Sequence, residues 1–421
     1  MSKALTTYPE SPDNSELLLQ TLRYAAAHSP FYQHVFSDYL PPELSNFHRI
    51  PFTTKDNLAA GYHDFLCIPD EKIAEFVSTS GTLGSPVFLA LSTGDIERLA
   101  ANEAAALSIA GINSQSRIQI LTTLDKRFMA GLAYYLGARK LGASVVRTGP
   151  GVPEMQWDTL FSLQTDTLIA VPSAILRMLD YADQNGIHPN ESSVKRIICI
   201  GEPIRLPDFT LNSLGKRISG RWNVQLHSTY ASTEMATAFT ECTYGQGGHQ
   251  LPHLIHIEIL DEAGNPVPDG EPGELVITTL GVEAMPLIRF RTGDILTKHS
   301  ELCPCGRYSP RLGPVRGRLG HMIKFKGTTF YPPAIMEVLD SFPEIHHYII
   351  EVFSDSAGMD RLLVRYSLNK SSEDTEAQLI ERFKSRLRVT PEVQRENADV
   401  LLTLKFPENS RKPVVFFDRR N

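Results

Sequence analysis

The sequence is short of cysteine, of long apolar runs and of positive charge. Its five cysteines among 421 residues, Cys67, Cys199, Cys242, Cys303 and Cys305, are odd in number and too few for a disulfide scaffold of this size. No stretch approaches the roughly 20 apolar residues of a membrane-spanning helix. The opening MSKALTTYPESPDNSELLL has no basic segment followed by an apolar core, as a leader would. Lys plus Arg is 41 against 48 Asp plus Glu, and the net charge of −7 offers no general attraction to nucleic acid or anionic lipid. Long runs of one charge sign, internal repeats and low-complexity tracts are also lacking. These absences predict a cytoplasmic protein whose partners are neither nucleic acid nor membrane. What is present is the composition of an ordered chain, 42% hydrophobic and 21% charged, with length for two or three domains.

Residues 1 to 65 read as helices and loops, SELLLQTLRYAAAHSPFYQHVF carrying apolar residues at helical spacing. From Arg117 to about His227 the short apolar runs RIQILTTL, ASVVRTG, DTLIAVPS, RIICIGE and WNVQLHS alternate with GLAYYLGARKLG, QWDTLFSLQ, AILRMLDYADQNG and DFTLNSLGKRI. Buried strands alternating with amphipathic helices predict an α/β layer on a mainly parallel sheet. Between about Leu254 and Thr297 the turn clusters AGN and DGEPGE separate apolar runs, which predicts a β-rich subdomain. Beyond GRLG at 317 to 320 a smaller α+β unit is expected. Its elements are MIKFKG, the helix PPAIMEVLDSF, the strands HHYIIEVF and DRLLVRYSL, a helix from about Asp374 to Leu387, and the strand ADVLLTLKF. The organisation expected is a large N-terminal domain of residues 1–317 and a small C-terminal domain of residues 318–421.

Four segments carry chemistry. STSGTLGSP, residues 78–86, combines hydroxyls with glycines in a loop after the apolar EFV; backbone amides and hydroxyls there could cradle phosphates, and a polar hairpin turn is the plainer alternative. YASTE, residues 230–234, follows an expected parallel strand at the end where α/β sheets bind ligands. A ring there could stack on a base and a carboxylate could hold a divalent cation, or the segment could be a helix N-cap box. FRTGDI, residues 290–295, ends an apolar strand with an Asp able to accept two ribose hydroxyls, or is an ordinary turn. PENSRKPVVFFD presents Arg411 and Lys412 on a loop before a last apolar run.

In this order and spacing, these segments resemble the phenylacetate–CoA ligase family of the adenylate-forming superfamily, over nearly the whole chain. SPFYQHVF and IPFTTKDNL are similar to its N-terminal region, and AGLAYYLGARKLGASVVRTGPG to the glycine-rich helix lining its acid pocket. IGEPI resembles the adenine-side loop, and GRLGHMIKFKGTTFYPPAIME the hinge and the start of a mobile C-terminal domain. Ser85 stands where a Lys is common, Tyr135 where many relatives have His, Ala231 for a usual Gly, and Gly320 at the hinge for an acidic residue or Lys.

The resemblance implies an AMP-forming acyl-CoA ligase that uses ATP, magnesium and coenzyme A on a small, aromatic carboxylic acid; a homodimer is compatible with it. Thr79, Ser80, Gly81 and Thr82 would hold phosphates. Gly201, Glu202 and Pro203 would border the adenine, with Tyr230, Ala231 and Ser232 beside it and Tyr230 stacking. Thr233 would touch the α-phosphate and Glu234 hold magnesium. Asp294 and Arg318 would bind the ribose. Lys412 would be the catalytic lysine, and Phe128, Tyr134 and Tyr135 would line the acid pocket, though core packing accounts for the two tyrosines nearly as well. Two rivals remain: an adenylating enzyme with an amine or carrier-protein thiol as acceptor, and an idle nucleotide-binding relative.

A second site comes from ECTYGQGGH and LCPCGR. Cys242, His249, Cys303 and Cys305 supply three thiolates and an imidazole, a ligand set for structural zinc, with reduced inert thiols as the alternative. The resemblance supports zinc, since some members carry metal ligands at matching places. Cys67 and Cys199 are expected to be small buried hydrophobes.

Overall fold

The five runs expected as parallel strands form one half of a large sheet in the computed structural model, which describes residues 14–39, 41–79, 87–325, 328–354, 360–369, 374–407 and 413–420. From one edge the order is Ser144–Arg147, Arg117–Ile120, Thr167–Ala170, Arg196–Ile200 and Gln225–Ser232, all parallel. Thr167–Ala170 is buried throughout, which is why it reads as a continuous apolar run; the edge strand Ser144–Arg147 is partly open. The helices Met129–Leu141, Pro153–Leu163, Pro172–Asn185 and Ser213–Ser219 fall in the four intervals where amphipathic stretches were expected. Beyond Gln225–Ser232 the sheet turns antiparallel through Thr237–Glu241, Gly248–His249, Arg311–Leu312, Phe290–His299, Pro272–Thr279 and Ile255–Leu260. This second half is the β-rich region expected from the turn clusters.

Helix Thr93–Ile109 ties the two halves together. Its Arg98, buried, donates to the carbonyls of Ala236 at 2.6 Å, Leu254 at 2.5 Å and Leu280 at 2.8 Å. Truncating that side chain would take the donor from the buried Ala236 and Leu280 carbonyls, at about 1–3 kcal/mol each, while the Leu254 carbonyl keeps the Leu280 amide at 2.9 Å. The N-terminal run SELLLQTLRYAAAHSPFYQHVF is two helices, Ser15–His28 and Pro30–Tyr39, since Ser29 before the proline is extended.

The last hundred residues build their own sheet and core. Glu392–Arg395, Asp360–Leu368, Ile345–Ser354 and Phe416–Asp418 lie in that order, the inner pair antiparallel and each outer strand parallel to its neighbour. Helices Pro332–Asp340 and Thr375–Leu387 pack Ile335, Val338, Leu339, Leu379 and Phe383 against it. One expectation fails here: ADVLLTLKF is not a strand but the helix Ala398–Lys405. A short unbroken apolar run fits either element, and the cap decides, with the Asn397 side chain accepting from the Asp399 amide at 2.7 Å. The four-stranded sheet is completed instead by Phe416–Asp418.

Candidate functional site

Three of the proposed nucleotide residues meet at the join between the parallel and antiparallel halves of the large sheet. Strand Gln225–Ser232 runs on through YAS, and residues 233–236 turn it back into Thr237–Glu241, pairing Tyr230 with Phe239 and Ser232 with Thr237. No helix follows, so the N-cap alternative for this motif does not hold. Tyr230 donates its hydroxyl to Asp294 Oδ2 at 2.7 Å, and Arg318 donates Nε to Asp294 Oδ1 at 2.9 Å. Burial and the adjacent carboxylate push the Tyr230 phenol well above its ordinary range, so it stays protonated and donates. Asp294 is 6% exposed. It lies within strand Phe290–His299, where Gly293 takes φ +76° beside an irregular register, and it faces Arg318 across a short antiparallel pairing. FRTGDI is therefore a bent strand, not a terminal turn. Thr233 and Glu234 sit half-buried in the turn next to it.

On the neighbouring strand end, Gly201 has φ +76° and Glu202 accepts from the Ser173 amide at 2.8 Å and from its hydroxyl at 2.9 Å. Pro203 accepts from the Asn212 amide side chain at 2.9 Å. Ser173 was not anticipated; the signal was available in VPS, a hydroxyl residue behind a proline at a helix start. Strands Ile73–Ser78 and Phe88–Ser92 form an antiparallel hairpin around the hydroxyl-rich loop. Thr79 closes its neck, accepting at Oγ1 from the Val87 amide at 3.1 Å, with its own amide donating to the Val87 carbonyl at 3.0 Å. Ser80, Gly81 and Thr82 lie outside the described residues, as does Lys412.

The three aromatic candidates part company. Phe128 precedes helix Met129–Leu141. Tyr134 is buried among Ile118, Ile120, Ile169 and Ile198, the core-packing alternative, and Tyr135 lies half-buried with the Arg147 guanidinium 5.1 Å from its ring centre.

The four zinc-type residues do converge. Cys242 follows strand Thr237–Glu241, His249 ends the next short strand, and Cys303 and Cys305 lie in the loop before Arg311–Leu312; their ligand atoms all fall within 4.8 Å of one another. Cys242 Sγ and Cys303 Sγ are 3.7 Å apart, and Cys305 Sγ and His249 Nε2 are 3.5 Å apart. A tetrahedral zinc separates two ligand sulfurs by about 3.8 Å and a sulfur from a nitrogen by about 3.5 Å. His249 Nδ1 meets Ser309 Oγ at 3.2 Å, which orients the ring with Nε2 inward. Burial brings the imidazole down to about 4 and the Cys242 thiol up to about 12. The first keeps a lone pair available at neutral pH, and the second is the shift a bound cation would reverse. Cys67 and Cys199 are buried, as expected.

A family model described as AMP-binding enzyme matches residues 45–284. The phenylacetate-coenzyme A ligase of Thermus thermophilus is 29% identical over 349 residues, 80% of this chain and 77% of that protein. That of Escherichia coli K12 is 27% identical over 97% of this chain and 94% of its own. Among solved structures, 2-hydroxyisobutyryl-CoA ligase in a postadenylation state shares the fold at a TM-score of 0.83 and 22% identity, covering 96% of this chain and 88% of that one. The same ligase in a thioesterification state overlays at 0.69, covering 100% and 95%.

Proposed function

The chain belongs to the AMP-binding enzyme family, and from that premise we propose that it is an AMP-forming ligase joining a small carboxylic acid to coenzyme A. The observation that carries the reading is the pair of hydrogen bonds that hold Asp294 between Tyr230 and Arg318. That carboxylate is fixed at the bend of its strand by Tyr230, three and four residues before Thr233 and Glu234, and ATP would lie along it. Phenylacetate-coenzyme A ligases as relatives over most of the chain support the thioester product and an aryl acid.

A carboxylate resists a thiol because its charge repels the nucleophile and oxide leaves poorly. Attack of the carboxylate oxygen on the α-phosphorus expels pyrophosphate and leaves an acyl adenylate, from which the thiol displaces AMP. Asp294 and Arg318 would fix the ribose, and Tyr230 would cover the adenine. Thr79, Ser80, Gly81 and Thr82 would hold the released phosphates, and Lys412 would meet the charge building on the α-phosphoryl oxygens. Preorganised donors of this kind contribute about 3–4 kcal/mol each. Glu234, a half-buried carboxylate at the turn tip, suits magnesium, which supplies further neutralisation of phosphate charge. Residues 318–421 would form the small mobile domain, turning about Gly320, where an added Cβ would meet no atom within 4 Å. Cys242, His249, Cys303 and Cys305 would hold a structural zinc with no position open for chemistry. Among the described residues no helix is long and apolar enough to cross a membrane, and the free thiols suit a reducing cytoplasm.

Pyrophosphate release measured over a panel of aryl and alkyl acids, with and without coenzyme A, tests the reading. Release with at least one acid, followed by thioester when the thiol is present, is expected. Release without thioester would point to another acceptor, and no release with any acid would overturn the assignment as a ligase.

A further inference from the structure

We propose that Glu337 is a positioning residue that clasps Ser213 across the boundary between residues 1–317 and 318–421, and so holds the arrangement in which the adenylate forms; this rests on the two-step ligase reading above. Glu337 lies on helix Pro332–Asp340 of the small sheet's unit, and Ser213 opens helix Ser213–Ser219 of the large one. The Ser213 amide donates to the two carboxylate oxygens at 3.0 and 3.2 Å, and its hydroxyl donates to Oε1 at 2.9 Å. Both residues are half-buried, so water competes only in part for these bonds.

The clasp is coupled to the nucleotide loop through one residue. Asn212, next to Ser213, donates to the Pro203 carbonyl at 2.9 Å and accepts from the Gly215 amide at 2.9 Å. Whatever holds Ser213 therefore steadies Pro203 and, beside it, Glu202. Charges of both signs surround the same boundary. Asp340 and Lys405, from the small unit, lie within electrostatic reach of Glu202, Asp340 also of Arg217, and Lys405 also of Arg177. Asp340 with Arg217 and Lys405 with Glu202 attract, while Asp340 with Glu202 and Lys405 with Arg177 repel, and such a mixture favours one docking geometry over others, a specificity effect more than a source of affinity.

Breaking the clasp should divide the two half-reactions. In Glu337→Ala, pyrophosphate formation from acid and ATP without coenzyme A should fall about tenfold, the effect of losing a charge-assisted hydrogen-bond set at a half-buried site. Thioester formation from a supplied acyl adenylate should be unchanged or faster. Amide exchange over residues 213–219 should quicken, while that of Thr167–Ala170 within the parallel half of the sheet stays as it was. Glu337→Gln, which keeps the volume and one acceptor, should fall between, and it serves if the alanine variant fails to fold. Equal loss of both half-reactions, or unchanged exchange at 213–219, would overturn the proposal. If the wild-type protein releases no pyrophosphate with any acid, the ligase reading fails instead; the exchange measurement then still decides whether Glu337 holds the two units together.

Discussion

Asp294 has two partners from segments far apart in the sequence, and neither pairing could be read from FRTGDI alone. The motif suggested a carboxylate for hydroxyls; the hydrogen bonds from Tyr230 and Arg318 depend on the bend at Gly293 and on strand pairing that only the folded sheet provides. Local backbone chemistry was legible at single residues, as in the positive φ of Gly201 and the loop-neck hydrogen bond of Thr79. Residues were illegible where a partner arrives from another element, as with Ser173 and Glu337. Glu103 belongs to the second kind. It lies buried on helix Thr93–Ile109, with the Asn102 amide donating to it at 3.1 Å, and burial pushes its carboxyl from 4.5 up to about 8. Between those values the unfolded chain releases a proton that the folded chain keeps. The stability this group contributes is therefore full below pH 4.5 and is lost as the pH rises through 8. Glu103→Gln keeps the shape and the acceptor without the charge. Its thermal midpoint, relative to wild type, should climb between pH 5 and pH 8; a difference that stays constant across that range would show the carboxyl is already ionised in the fold.

At the scale of elements the alternating central region was the most legible, because continuous apolar strands and amphipathic helices follow from burial on both faces of a parallel sheet. The helix Ala398–Lys405 was misread because its apolar run is short and its only strong signal is a polar cap. Close approach of elements was also hidden. A Cβ on Gly137 would stand 2.3 Å from the Glu103 Cβ, so helix Met129–Leu141 can press against helix Thr93–Ile109 only with glycine there. The cysteine cluster lies between these cases, since its residue types were evident but its closure required strands Thr237–Glu241 and Gly248–His249 to bring Cys242 and His249 to the loop of Cys303. Protein purified without chelator should carry about one zinc per chain. Stripping the metal, or Cys303→Ser, should lower the thermal midpoint by several degrees while the pyrophosphate reaction of the remaining folded protein persists. Absence of zinc, with a midpoint indifferent to chelator, would return the three cysteines to the status of reduced thiols.

For the whole molecule, the change of pattern after GRLG suggests a division near residue 318, and the last hundred residues have a sheet and a core of their own. The contacts across that boundary had no sequence signature, because Glu337 and Ser213 are common surface residue types. If the small unit carries the adenylation lysine, Lys412→Ala should slow pyrophosphate formation by about 10²–10³. Thioester formation from a supplied acyl adenylate should be spared, and loss of both steps together would remove that role. The fastening of the chain's last strand bears on how such a lysine travels. Val414 donates its amide to the Lys405 carbonyl at 2.8 Å, and Val415 accepts from the Ile350 amide at 2.8 Å. Arg420 reaches back to the Met322 carbonyl at 2.7 Å. Lys412 lies two residues before Val414, so its Cα stays within about 7 Å of that anchor on any path the chain takes. If Lys412 has the proposed role, its approach to the phosphate would follow the unit that carries this last strand. Withdrawing it would then mean swinging that unit, and one motion would both end the first step and clear the approach for the second.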